Sequence, residues 1–265
     1  MRGTRVLAPV VVTLGLALSA CGGSPGTAAP TIPVSPSASD TTPAGPPTRT
    51  ALGGTFARAT ALPPTVSCTY PPVGTAAKPN TAPPVSDVST QGTVPVTMAT
   101  SAGEVGLTLD RAVAPCTVNS FLSLAKQTYF DGTRCHRLVT SGIYVLQCGD
   151  PTASGTGGPG YGFANEYPTD QYPAGDPRLS QPVNYPRGTI AMANTGKPNS
   201  NGSQFFLVYQ DSPLPPQYTV FGTIDAAGLA VIENVAAAGD DGSQGAVGGG
   251  APKAPVTITK VSSLR

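Results

Sequence analysis

Tryptophan is absent from this 265-residue chain, histidine occurs once, and charged side chains make up only 11% of it. Each scarcity excludes something. No pair of cysteines is spaced C-x-x-C, and His136 stands alone. A metal site built from Cys135, His136 and Cys148 is therefore disfavoured, and no metal is expected. The same histidine has no convincing serine and acid partners. Gly202-Ser203 does not stand in a G-x-S-x-G elbow, which argues against a hydrolase. Lys and Arg number 15 against 14 for Asp and Glu, a net charge of +1, so nothing points to nucleic acid. Beyond Ala20 no apolar run is long enough to span a membrane.

Proline (30) and glycine (32), by contrast, are plentiful. Met1 to Ala20 opens with Arg2 and Arg5, runs apolar from Val6, and leads into Ser19-Ala20-Cys21-Gly22. A basic start, a short apolar core and a small-residue exit describe a secretory signal peptide over 1–20. The small residues before Cys21 resemble a bacterial lipobox. The expectation is an exported protein, lipidated at Cys21 and anchored as a lipoprotein to the outer face of the bacterial cell membrane. Residues 21–66 are rich in Pro, Thr, Ser and Ala and read as a disordered tether that cannot offset its ordering entropy. Residues 67–92 read as an irregular pre-domain segment. Residues 93–265 are long enough for one domain with a proper core.

The other cysteines are Cys68, Cys116, Cys135 and Cys148. In an exported chain they fit two disulfides, with three connectivities open. The preferred pairing joins Cys116 to Cys135 and Cys68 to Cys148.

Alternating apolar residues predict a hairpin from Val94–Thr100 and Val105–Leu109. Val118, Phe121, Leu122, Leu124 and Ala125 fall at helical spacing in Thr117–Gln127, with Thr117 able to cap. Strands follow at Cys135–Val139 and Ile143–Gln147. Gly155-Thr156-Gly157-Gly158-Pro159-Gly160 matches GxGxxG, but no helix follows to aim at a pyrophosphate, so no nucleotide cofactor is expected. After a Pro-rich excursion, Glu166–Pro186, come strands at Ile190–Ala193, Phe205–Val208 and Thr219–Thr223. A helix at Leu229–Ala236, a Gly-rich loop over Gly239–Pro252 and a strand at Val256–Val261 complete the pattern. Many short strands with two helices indicate a mostly β, closed barrel.

Cys135-His136-Arg137, Val145-Leu146-Gln147-Cys148-Gly149-Asp150, Met192-Ala193-Asn194 and Asn201-Gly202-Ser203-Gln204-Phe205-Phe206 occur in one order. That order resembles the cyclophilins, the prolyl cis-trans isomerase family, from Thr93 to Leu264. The resemblance implies a closed eight-stranded antiparallel barrel capped by two helices, with its site on the outer face. It makes Arg137 the catalytic cation and Gln147 the residue that orients it. Tyr144, Val145, Phe206, Leu214 and Tyr218 would line the proline slot. Asn194 would hold substrate through its backbone, beside Ala193 and Gln204. Tyr218 stands where many members carry His, and Pro213 where eukaryotic members often carry Trp. The stretch from Arg137 to Gln147 is slightly longer than the family pattern. His136 is expected to be structural.

The chemistry fits these residue types. Rotating an X-Pro amide needs no base, nucleophile or metal. It needs an apolar slot for the ring and a fixed, always-charged donor that favours the twisted amide. The expectation is a monomeric prolyl isomerase without cofactor, assisting the folding of proline-containing extracytoplasmic chains. The alternative is a Pro-peptide binding module or chaperone in which turnover is incidental. Retention of Arg137 with Gln147 and Phe206 favours the enzyme, since docking alone does not require that arginine.

Overall fold

The computed structural model describes residues 56–263. The expected signal peptide, Cys21 and most of the expected tether lie outside the described residues. In chain order the strands are β1 (Thr65–Val66), β2 (Val88–Ser89), β3 (Thr93–Thr100) and β4 (Gly103–Asp110). Helix α1 (Pro115–Lys126) follows, then β5 (Thr133–Arg134), β6 (Arg137–Ser141) and β7 (Ile143–Cys148). After them come β8 (Val183–Tyr185), β9 (Thr189–Met192), β10 (Phe205–Gln210), β11 (Ser212–Leu214), β12 (Val220–Ile224), α2 (Ala226–Ala237) and β13 (Thr257–Ser263).

Nine strands form one antiparallel sheet in the order β5-β13-β3-β4-β12-β9-β10-β7-β6. This corrects the closed eight-stranded barrel expected from the resemblance. The ladder stops at β5 and β6, which are consecutive pieces of one run. The chain changes partner between them. The Cys135 N–H donates to Val256 O at 2.9 Å, and the His136 N–H donates to Gln147 O at 3.0 Å. The sheet therefore curls until its two ends are joined by the chain rather than by a ladder.

Inside the curl, alternation sets the core. Val105, Leu107 and Leu109 of β4 point inward and are at most 3% exposed. Helix α1 lays Phe121 on Phe130 (5.0 Å between centroids) and on the edge of Phe205 (5.4 Å). Such a buried ring stabilises by about 1.5–3 kcal/mol. Pro115 starts α1 at a position where its missing N–H costs nothing. Thr117 is not the cap expected of it. Glu166, from the excursion, accepts instead from the Cys116 N–H (3.0 Å), the Thr117 N–H (2.8 Å) and the Thr117 hydroxyl (2.7 Å). Asp225 caps α2 by accepting from the Gly228 N–H at 2.6 Å.

The disulfides are Cys68–Cys116 and Cys135–Cys148, with Cα separations of 5.6 and 3.9 Å. The expected pairing is corrected on both counts. Cys116 opens α1 beneath the pre-domain segment, where the Tyr70 hydroxyl also donates to Cys116 O at 2.7 Å. Cys135 and Cys148 meet where β6 and β7 run side by side. The packed chain also starts before residue 66. Phe56 lies 6.3 Å from the Tyr167 ring, and Arg58 pairs with Asp170 at 2.6 Å while donating to Val113 O.

Candidate active site

A second apolar cluster lies on the outer face of the curl, made by Val139, Val145, Tyr185, Ala191, Phe206, Val208 and Val220 among others. Register explains it. Arg137 of β6 stands opposite Gln147 of β7, Gln147 opposite Phe206 of β10, Phe206 opposite Ala191 of β9, and Ala191 opposite Val220 of β12. These residues form one row across five strands. Cross-strand neighbours share a face, so the row carries a cation, an amide and a phenyl ring side by side.

Above the row is a cleft of about 410 Å³. Ile143, Val145, Phe206, Leu214 and Tyr218 give it an apolar wall, and Arg137, Gln147 and Asn194 give it polar ones. Tyr218 meets Phe206 edge-on at 5.6 Å. The Tyr185 hydroxyl fixes the back of that wall, donating to Pro215 O (3.1 Å) and Tyr218 O (3.0 Å). Leu214 is delivered by β11, which pairs with β8, so the end of the excursion supports the slot from below.

Arg137 is held on three sides. Its Nη1 faces Gln147 Oε1 at 3.4 Å, its Nε donates to Gly248 O at 3.1 Å, and its Nη2 donates to Val247 O at 2.9 Å. Burial lowers its pKa while Tyr218 acts to raise it, and an arginine so perturbed stays cationic at neutral pH. Gln147 is fixed in turn, its Nε2 donating to Gln204 Oε1 at 2.9 Å. Gln204 Nε2 donates to Gly155 O and Gly157 O, both at 3.0 Å.

The loop carrying those carbonyls hangs on Asp150, which is fully buried. Its carboxylate accepts from the Thr152 N–H and hydroxyl (2.7 Å each), the Gly155 N–H (2.8 Å) and the Gly157 N–H (3.0 Å). Burial opposes its ionisation, but the hydrogen bonds from Thr152, Gly157 and Gly155 outweigh that and hold the carboxyl below its ordinary range. Asn194 lies opposite. Its Nδ2 donates to Gln217 O at 2.8 Å and its Oδ1 accepts from the Gly196 N–H at 2.9 Å. Asn194 lines the cleft, and its main-chain groups make no hydrogen bond among the described residues.

Of the residues expected here, Arg137, Val145, Gln147, Ala193, Asn194, Phe206, Leu214 and Tyr218 line the cleft, and Gln204 stands behind Gln147. Tyr144 does not join them. It turns to the other face of β7, 6.0 Å from Tyr209, and Ile143 takes its place in the wall. Adjacent strand residues face opposite ways, so Tyr144 cannot share a wall with Val145. That alternation was a signal available in the sequence. The contacts from Val247 and Gly248 had none, since they join positions 110 and 111 residues apart. His136 lines the cleft, 7% exposed, and neither of its ring nitrogens is hydrogen-bonded among the described residues.

Residues 95–263 match the family model described as cyclophilin type peptidyl-prolyl cis-trans isomerase/CLD. A Mycobacterium leprae (strain TN) protein named "Probable peptidyl-prolyl cis-trans isomerase B" is 58% identical over 76% of this chain and 66% of its own length. The protein of the same name from Mycobacterium tuberculosis (strain CDC 1551 / Oshkosh) is 58% identical over 74% of this chain and 63% of its own. The chain thus spans just under two thirds of the length of these relatives. A Cryptosporidium parvum cyclophilin-type isomerase, solved in the presence of the dipeptide Ala-Pro, is 27% identical with a TM-score of 0.51, covering 64% of this chain and 99% of its own. With the family's sequence blocks standing on one curled sheet, the chain belongs to the cyclophilin-type peptidyl-prolyl cis-trans isomerases.

Proposed function

We infer that this chain catalyses cis-trans isomerisation of X-Pro peptide bonds and that Arg137 is the catalytic residue. The observation that carries this is the cross-strand row, which sets the Arg137 guanidinium beside the apolar wall of Phe206, Leu214 and Val145. Conjugation across the amide C–N bond sets a rotation barrier of roughly 18–20 kcal/mol. At the twisted midpoint the prolyl nitrogen regains its lone pair and accepts a hydrogen bond it could not accept when planar. Arg137 donates there, while the slot grips the ring and the Asn194 main chain holds the residues before it. An interaction stronger at the midpoint than at either end lowers the barrier. That the related Cryptosporidium protein was solved with Ala-Pro supports a proline-containing ligand for the slot.

No proton is transferred, so the rate is expected to be flat near neutral pH. The clients in this reading are unfolded or flexible extracytoplasmic chains, met by a monomer held at the membrane through lipid on Cys21. The basic and apolar start before Cys21 and the two disulfides support export to an oxidising compartment. The test is catalysed isomerisation of an Ala-Pro-containing peptide by the oxidised chain beside Arg137→Ala. Loss of the guanidinium is expected to cost roughly 100-fold in kcat/KM, about 2.7 kcal/mol of midpoint stabilisation. Equal rates in the two proteins would remove Arg137 from the chemistry. No catalysis by a folded parent would leave a peptide-binding module.

A further inference from the structure

The Gly-rich stretch 239–252 stood apart from the family motifs in the sequence, yet it touches the guanidinium more closely than Gln147 does. The Val247 and Gly248 carbonyls stand at 2.9 and 3.1 Å, against 3.4 Å for Gln147 Oε1. The stretch reaches Arg137 because it is bridged to the next residue of β6. The Leu138 N–H donates to Gly250 O at 2.7 Å, and the Gly250 N–H returns to Leu138 O at 3.0 Å. Within the stretch, Gly249 O accepts from the Gln244 N–H at 3.1 Å, closing a compact loop. The Asp241 carboxylate ties its ends by accepting from the Ser243 N–H (3.0 Å) and the Ala251 N–H (2.8 Å). Gly249 has a φ of +75°, and a Cβ there would lie on the carbonyl oxygen of Leu138. No L side chain fits without lifting the loop off β6.

Resting on the isomerase reading above, we propose that the loop Gln244–Gly250, seated on β6 through Gly249, positions the catalytic guanidinium of Arg137. The Val247 and Gly248 carbonyls occupy Nη2 and Nε, and Gln147 faces Nη1. Three fixed acceptors leave the fork one orientation, with its remaining N–H groups turned to the slot. A guanidinium ordered before substrate arrives loses less freedom at the midpoint of rotation, so its value appears in kcat. Gln244 and Val247 of the loop line the cleft, but the apolar wall for the proline ring is built by Ile143, Val145, Phe206, Leu214 and Tyr218 from other elements, so the loop's larger effect is expected on kcat rather than on KM.

The test compares Gly249→Ala with Gly242→Ala in the full chain. Gly242 lies in the same Gly-rich stretch, outside the seated loop, at a φ of +68°, and a Cβ there meets nothing within 4 Å. Both variants carry similar backbone strain, and only the first lifts the seat. The readouts are kcat and KM on an Ala-Pro peptide, and solvent exchange of the Arg137 Nε–H by nitrogen-15 NMR. Gly249→Ala is expected to lose about ten- to hundredfold in kcat with KM within about twofold, and its Nε–H to exchange at least about tenfold faster. Gly242→Ala is expected to match the parent in both. Unchanged exchange in Gly249→Ala, or equal losses in the two variants, would overturn the proposal. If Gly249→Ala does not fold, Asp241→Ala frees the loop ends instead, with smaller changes of the same kind expected and the same outcomes deciding. Because Nε–H exchange needs no turnover, a parent without isomerase activity would defeat the functional reading while leaving the loop's hold on Arg137 separately measurable.

Discussion

Two glycine-rich loops wall the same cleft, and they are built on opposite principles. Residues 150–158 hang from the buried Asp150 carboxylate and reach Arg137 through two amide side chains, Gln204 and then Gln147. Residues 239–252 are tied at their ends by the Asp241 carboxylate at the exposed surface and reach Arg137 directly with main-chain carbonyls. The first loop depends on a charge taken out of water, the second on the absence of a side chain at Gly249. A buried carboxylate that loses its donors is costly, whereas a main-chain bridge at the surface can open for little. The first loop should therefore govern stability and the second should govern only the rate.

The sharpest way to break that contrast is Asp150→Ala. It strands the Thr152, Gly155 and Gly157 N–H groups and removes the support under Gln204. The expected loss is about 3 kcal/mol of folding stability, since hydrogen bonds to a charged group contribute roughly 1.5–3 kcal/mol each and water recovers part. Thermal unfolding beside the parent checks it. The folded pKa of Asp150 lies below the unfolded value, so its contribution is full above about pH 4 and fades as pH falls through the folded value. The variant should lose that part of the acid sensitivity. A variant as stable as the parent would mean that the first loop does not hang on the carboxylate.

The relay itself is next. Gln204→Ala leaves Gln147 free to turn, and about a tenfold loss in kcat/KM is expected with little change in melting temperature. Combined with Gly249→Ala, the two losses should multiply if the loops act on Arg137 from separate sides. A double-mutant cycle measures this, and strong coupling would merge the loops into one device.

The sequence made one side of this contrast far more legible than the other. Hairpin β3–β4 and helix α1 followed from period-two and helical spacing. Arg137, Gln147 and Phe206 stood in motifs, and strand register then had only one way to align them. The closed eight-stranded barrel was not legible as it stands, because whether a curled sheet ends in a ladder depends on where Cys135 and His136 exchange partners. The disulfides misled for a related reason. Cys116 and Cys135 stand at the start of α1 and shortly after it in sequence, yet α1 carries Cys116 toward Cys68, and the run between β5 and β6 carries Cys135 toward Cys148 at the end of β7. Tyr144 failed on strand alternation, a local rule. Val247 and Gly248 failed because no local rule joins them to β6.

The smallest effect probes the floor beneath the first loop. A Cβ on Gly155 would come within 3.6 Å of the His136 ring, so imidazole and loop are in contact. Burial pushes the His136 pKa down, Asp150 acts to raise it, and Arg137 pushes it down again. The unfolded chain therefore takes up the proton more readily than the folded one. The stability that neutral His136 carries is full above about pH 6.5 and is lost as pH falls through the lower folded value. Between about pH 7 and about pH 5.5 the melting temperature of the parent should fall by a few degrees more than that of His136→Gln, which has no proton to gain there. The second loop contains no histidine, so Gly249→Ala should retain the parent's slope in that window. If His136→Gln kept the slope instead, the imidazole would take up its proton as readily in the folded chain as in the unfolded one, and burial against the first loop would not hold it neutral.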